Sequence, residues 1–163
     1  MQTTPITIRR AERADAADLI TLIVALGEFE KLPPPDADAQ ARLIADGFGE
    51  RPRYEAYLAF QEGTAAPIGC ALISETYSTF LARPTLYLED LFVLPDHRRK
   101  GVGGALLQFL TTLARERACG RMEWTCLKWN TNAQAVYEKL GARSQDEWLM
   151  YRLTGDALHG GTP

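Results

Sequence analysis

The sequence has no long apolar run. Its longest, Leu19 to Leu26, is broken by Thr21 and falls short of the ~20 residues that a membrane span needs. A membrane partner is therefore not expected. Cysteine is scarce: Cys70, Cys119 and Cys126 form no C-x-x-C pair, and any disulfide scheme leaves one over. Reduced, buried thiols are the expectation. Histidine is scarcer still. His97 and His159 lie far apart with no Cys or carboxylate at ligand spacing, so no metal site is expected. Positive charge is not in excess either: 18 Lys and Arg stand against 21 Asp and Glu, a formal net charge of −3. That argues against a general nucleic-acid binder. The opening residues MQTTPITIRR hold no apolar segment of the secretory kind, so a cytoplasmic protein is expected. No repeat or low-complexity block interrupts the chain.

What is present fits one globular domain. Of 163 residues, 46% are hydrophobic and 24% charged. A chain of this size buries roughly 70% of its unfolded surface. The expected domain covers residues 1–158, with 159–163 as a flexible tail. Ile6 to Arg9 alternates as a strand does. Leu19, Leu22, Ile23, Leu26 and Phe29 recur at helical spacing after a cap at Asp15 or Asp18, and Pro33, Pro34 and Pro35 stop that helix. A second helix is expected from Asp36 to Asp46. YEAYLAF and IGCALISETY read as a hairpin, and Thr85 to Val93 as the next strand. A helix over Gly103 to Ala118, a strand over Arg121 to Leu127, a helix ending at Gly141 and a last strand around Trp148 to Leu153 complete an α/β pattern. Its central β-loop-α-β unit predicts a parallel strand pair.

The most informative segment is Arg98-Arg99-Lys100-Gly101-Val102-Gly103-Gly104, between a strand and a helix. A helix N-terminus offers unpaired N–H groups and the positive end of the dipole. Glycines let a phosphate approach the backbone, and three cations reinforce it. The alternative is a solvated turn with Gly103 or Gly104 as a cap. G-x-x-x-x-G-K-[ST] is absent, and Leu106 stands where G-x-G-x-x-G needs its last glycine, so neither a P-loop nor a dinucleotide fingerprint fits. On the preceding strand, alternation puts Glu89 with Tyr87 and Leu91, and Asp90 on the other side with Leu88 and Phe92. Carboxylates in so apolar a strand need a reason. Each is either functional or satisfied by a backbone N–H or by an arginine such as Arg143.

The loop fits R-x-x-G-x-G as Arg98, Gly101 and Gly103. It resembles the pyrophosphate-binding loop of the GNAT superfamily, the acetyl-CoA-dependent N-acetyltransferases. LYLEDLFVLPDHRRKGVG, IADGFGERPRYEAYLAF, KWN and DEWLMY extend the likeness to the spermidine/spermine N-acetyltransferase family. Tyr77-Ser78-Thr79-Phe80 looks more like its thialysine N-acetyltransferase branch, because the polyamine branch generally has an acidic residue where Ser78 stands.

The resemblance implies a GNAT fold: a mixed central sheet flanked by helices, with a β-loop-α acetyl-CoA-binding core. It implies acetyl transfer from acetyl-CoA to the primary amine of a small cationic acceptor, without a metal, in a homodimer. Glu89 would act as base through water and Tyr137 as general acid to the leaving thiolate. The main chain of Phe92 and Val93 would pair with the pantetheine arm. Arg98, Arg99, Lys100, Gly101, Val102, Gly103 and Gly104 would hold the phosphates, and Asn130 would touch the cofactor. Glu30, Ser78, Thr79, Asp90 and Trp148 would line the acceptor site.

Each residue also has a plainer reading. Tyr137 packs its ring, Asn130 caps a turn, Glu30 meets solvent, Trp148 fills the core, and Ser78 and Thr79 form a turn. Hydroxyls at 78 and 79 tolerate a substrate carboxylate, which favours thialysine or another lysine-like amino acid over spermidine. A polyamine acetyltransferase, a protein or peptide acetyltransferase and a non-catalytic CoA-binding domain are the competing functions.

Overall fold

A computed structural model describes residues 5–160. The chain groups into two compact units, Met1–Leu127 and Lys128–Pro163. The first holds a five-stranded sheet of β1 (Ile6–Arg10), β2 (Glu55–Gln61), β3 (Gly69–Ser78), β4 (Arg83–Val93) and β5 (Arg121–Trp124), in that spatial order. The β1–β2, β2–β3 and β3–β4 pairs are antiparallel and β4–β5 is parallel. Helix α3 (Val102–Glu116) lies between β4 and β5 in the chain, which gives the expected β-loop-α-β unit. Helices α1 (Ala16–Glu30) and α2 (Ala37–Phe48) connect β1 to β2.

Local chemistry sets the ends of these elements. Lys31 takes a left-handed conformation (φ 58°) and returns its N–H to the Glu28 carbonyl, closing α1 ahead of the three prolines. Asp36 caps α2 by accepting the Ala39 N–H at 2.8 Å. Asp15 precedes α1 but does not cap it. Its carboxylate takes both arms of Arg9, at 2.7 and 2.8 Å, and the Glu12 N–H at 2.7 Å, and so ties β1 to the start of α1.

The sheet is buried on both faces. On one, Leu19, Leu22 and Leu26 of α1 pack on Ala56, Leu58, Cys70, Leu72 and Phe92. On the other, α3 buries Val102, Leu106, Leu107 and Leu110, and the Phe109 ring lies 5.1 Å from that of Tyr57. Arg117, just past α3, clamps Glu55 of β2 with two hydrogen bonds of 2.7 and 2.8 Å. All three cysteines are free, but only Cys70 is buried; Cys126 is exposed.

The second unit holds α4 (Thr131–Lys139) and the short α5 (Asp156–His159). The strand expected at 148–153 does not form. A strand needs a ladder partner for its main-chain groups, and no strand occurs among the described residues of this unit. Trp148, Leu149, Met150 and Tyr151 are exposed. The strand expected over Arg121 to Leu127 stops at Trp124. Of the expected tail, His159 ends α5 and residues 161–163 lie outside the described residues.

Candidate active site

Strand β4 carries a bulge at its centre. Leu72 of β3 faces Asp90, whereas the next residue, Ile73, faces Leu88, so Glu89 is the extra residue. Residues paired across a sheet share a face. Asp90 therefore lies on the α1 face with Leu72 and Phe92, while Leu88 lies on the α3 face with Ile73. This corrects the simple alternation, which grouped Asp90 with Leu88 and opposed it to Glu89. The bulge resets the pleat and brings the two carboxylates together. Glu89 is exposed and Asp90 half-buried.

Asp90 titrates at about 6, above the ordinary carboxylate range. Burial is the main cause, and the negative charges of Glu89 and then Glu30 add to it. Glu30 is the last residue of α1. The sheet register and helix end thus gather Glu30, Glu89 and Asp90 into one acidic cluster with no ion-pair partner for Asp90 among the described residues. Such a cluster attracts a cation, and a carboxylate titrating near 6 is ionised at neutral pH.

Beyond the bulge, β4 outruns its neighbour. The β4–β5 ladder covers Thr85 to Leu88 and ends with Trp124, so Glu89–Val93 have no strand on that side among the described residues. The open edge leads through a single 3-10 turn, Pro95–His97, into the glycine loop. Gly101 adopts φ 88°, a left-handed conformation that suits glycine, and stands at the N-cap of α3 with no side-chain cap. Cβ atoms built on Gly101 and Gly104 would meet nothing within 4 Å. The first N–H groups of a 15-residue helix are thus open to an anion, beside exposed Arg99 and Lys100. A cofactor with an extended amide-bearing arm and a pyrophosphate fits this edge and loop. The Leu94 N–H donates to the Ile68 carbonyl, which makes Cys70 and Phe92 a hydrogen-bonded pair of the ladder. The Phe92 main chain is thus spent on β3, contrary to the expectation that it pairs with the cofactor. Val93 is the one of the two that faces the open edge, next to the anion-accessible loop 99–104.

Several sequence candidates behave differently. Arg98 does not extend toward the loop mouth. Its guanidinium lies 4.2 Å from the Phe29 ring centre and 5.4 Å from that of Phe92, and its Nε donates to the Val93 carbonyl at 2.9 Å. Ser78 is buried at the β3–β4 turn, where its Oγ accepts the Leu81 N–H at 3.3 Å. It stands six residues along β3 from Leu72, about 20 Å at strand rise. Ser78 therefore ends β3 and the exposed Thr79 opens the β3–β4 turn, both away from the Glu30–Glu89–Asp90 cluster. In the second unit, Asn130 caps α4 by accepting the Ala133 N–H at 3.2 Å. Tyr137 is half-buried in the last turn of α4, and Trp148 is exposed. Sequence reasoning missed Phe29 as a partner of the loop. Its helical spacing marked it as core, and nothing local to it signals an arginine from a segment almost 70 residues on.

Among the described residues no group of side chains suits a metal ion, and no helix is long and apolar enough to cross a membrane. The acetyltransferase (GNAT) family matches residues 22–142. A thialysine N-epsilon-acetyltransferase of Bos taurus is 33% identical over 94% of this chain and 95% of its own length. An L-ornithine N5-acetyltransferase of Arabidopsis thaliana is 39% identical over 67% of this chain and 48% of its own. A crystal structure of a probable acetyltransferase superposes with a TM-score of 0.80 at 26% identity, covering 91% of this chain and 97% of that one. With a bulged, open-edged strand running into a glycine loop at a helix N-terminus, and with these likenesses along nearly its whole length, the chain belongs to the acetyltransferase (GNAT) family, whose members take the acetyl group from acetyl-CoA.

Proposed function

We propose that this protein acetylates the side-chain amine of a lysine-like amino acid such as thialysine. The observation that carries the reading is the Glu30–Glu89–Asp90 cluster, set at the start of the open β4 edge that leads to the phosphate cradle. A cationic acceptor bound there lies beside the thioester end of the cofactor track. Similarity to a thialysine and to an ornithine acetyltransferase supports an amino acid with a distal amine. The position of Ser78 and Thr79, away from that cluster, removes the sequence argument from hydroxyls, so the choice of acceptor rests on those relatives.

When bound, acetyl-CoA supplies an activated acetyl group. Asp90, ionised at neutral pH, holds the acceptor ammonium with Glu30. Glu89, open to water at the bulge, takes up the proton the ammonium must lose, through one water molecule. The Tyr137 hydroxyl gives its proton to the leaving sulfur, a role supported by its place in the sequence pattern of the family. The loop N–H groups and the β4 main chain orient the cofactor, which makes the attack effectively unimolecular. A homodimer in the cytoplasm accompanies this reading.

Thiol release from acetyl-CoA, measured with thialysine, ornithine, spermidine and a lysine peptide, tests it. We expect the highest kcat/KM with thialysine or ornithine. Spermidine ahead by tenfold, about 1.4 kcal/mol in transition-state binding, overturns the acceptor. No release with any amine overturns the activity.

A further inference from the structure

Arg98 opens the glycine loop, yet its side chain turns away from it. The guanidinium sits against Phe29 and Phe92, whose rings are 6.3 Å apart. Phe29 belongs to the last turn of α1, next to Glu30. Phe92 lies two residues past Asp90, and Val93, whose carbonyl takes the Arg98 Nε, ends β4. One side chain thus touches the end of the helix that carries the acceptor carboxylate, the strand that carries the other two, and the last carbonyl of the open edge. The α1 last turn holds no basic residue of its own. Arg98 brings a cation to that negative dipole end.

We propose that Arg98 is a positioning residue that holds the acceptor carboxylates and the cofactor edge in fixed relation, and is not a phosphate ligand. The inference rests on the acetyl-transfer reading of the same site. A planar guanidinium stacks on aromatic faces and donates its Nε sideways at the same time. Lysine, a point charge on a flexible stem, does neither. Arg99 and Lys100, both exposed, remain for the phosphates. Because the Val93 carbonyl lies on the edge that meets the pantetheine arm, loss of Arg98 affects a cofactor with or without phosphates.

The test compares acetyl-CoA with S-acetylpantetheine, which lacks the pyrophosphate and the 3′-phosphate. For Arg98→Met we expect kcat/KM to fall by the same factor, roughly tenfold, with both donors, and the amine KM to rise. Arg98→Lys should not rescue either. Phe29→Leu should lower the same parameters, and the double variant should lose less than the product of the single losses. A loss confined to acetyl-CoA, or full rescue by Arg98→Lys, overturns the proposal. If Arg98→Met fails to fold, Phe29→Leu alone carries the donor comparison, with equal loss expected and an unchanged amine KM overturning it. If the wild-type protein acetylates no amine, the activity reading fails. Thermal shifts with CoA against pantetheine at saturating ligand then still decide whether Arg98 acts through phosphate.

Discussion

Asp90 shows how one residue trades stability for a charge. Its carboxyl is held at about 6 by burial and by two negative neighbours. The folded state therefore binds a proton that the unfolded state has released between the ordinary carboxylate value and about 6. Stability from this group falls as pH rises through that window and stays low above it. Asp90→Asn should raise unfolding stability at pH 8 by on the order of 1–3 kcal/mol, with little gain at pH 4, as thermal midpoints at the two pH values will show. The same variant should remove the acid limb near pH 6 from kcat/KM, since that profile reports the free enzyme. A limb that persists assigns the titration elsewhere. Tyr137→Phe removes one hydroxyl and keeps the ring. Turnover should drop by about 10²-fold while acetyl-CoA affinity holds; equal loss of affinity identifies a packing role.

At the scale of elements, the loop and α3 make opposite demands on their glycines. Gly101 stands at φ 88°, where a side chain is strained whatever the space. Gly104 lies inside the first turn of α3 at ordinary dihedrals, with open space in front of it. Gly101→Ala should cost about 1 kcal/mol of stability through left-handed strain. Gly104→Ala should add up to about 1 kcal/mol through helix propensity, yet reduce the thermal shift produced by CoA, because its methyl fills the approach to the proposed phosphate cradle. Differential scanning with and without CoA separates the two. A Gly104→Ala protein with the full CoA shift removes that N–H from the cradle. The glycine spacing that marks this loop is visible in the sequence. The bulge at Glu89 is not, because Tyr87 to Val93 reads as an unbroken strand and the extra residue exists only relative to β3.

The whole first unit is tied by Glu55. Arg117 grips it bidentately, the Tyr57 hydroxyl donates to it at 2.8 Å, and Arg10 approaches at 3.5 Å. The α3 exit, β2 and β1 meet at one carboxylate. Arg117, then the Tyr57 hydroxyl, hold Glu55 below the usual carboxylate value against burial, and Arg9 holds Asp15 at about 2. Both contributions are present above the unfolded carboxylate value and are lost as pH falls through the folded one. Acid unfolding should therefore begin below about pH 4 and proceed toward 2, opposite in sign to Asp90. Arg117→Met should cost about 1–3 kcal/mol at pH 7 and flatten the acid limb; urea midpoints at pH 7 and pH 3 check both. An undiminished acid limb would place the sensitivity on Asp15 alone.

The sequence by itself determined the local features: α1 from its apolar spacing and the prolines after it, the β2–β3 hairpin, and the β4-loop-α3-β5 unit with its glycines. Each follows from neighbours in the chain, through backbone sterics, periodicity and turn chemistry. It also pointed to Glu30, Glu89 and Asp90, though it grouped Asp90 with Leu88 and set it opposite Glu89. Tertiary structure decided what depends on partners distant in the chain. The register with β3 made the bulge that gathers the carboxylates. The shortness of β5 left the β4 edge open. The Phe29 and Phe92 rings drew Arg98 inward, and the β3–β4 turn buried Ser78 far from the cluster. The residues at 148–153 carry the pattern of a strand, but a ladder needs a second edge, and a sequence pattern does not supply one.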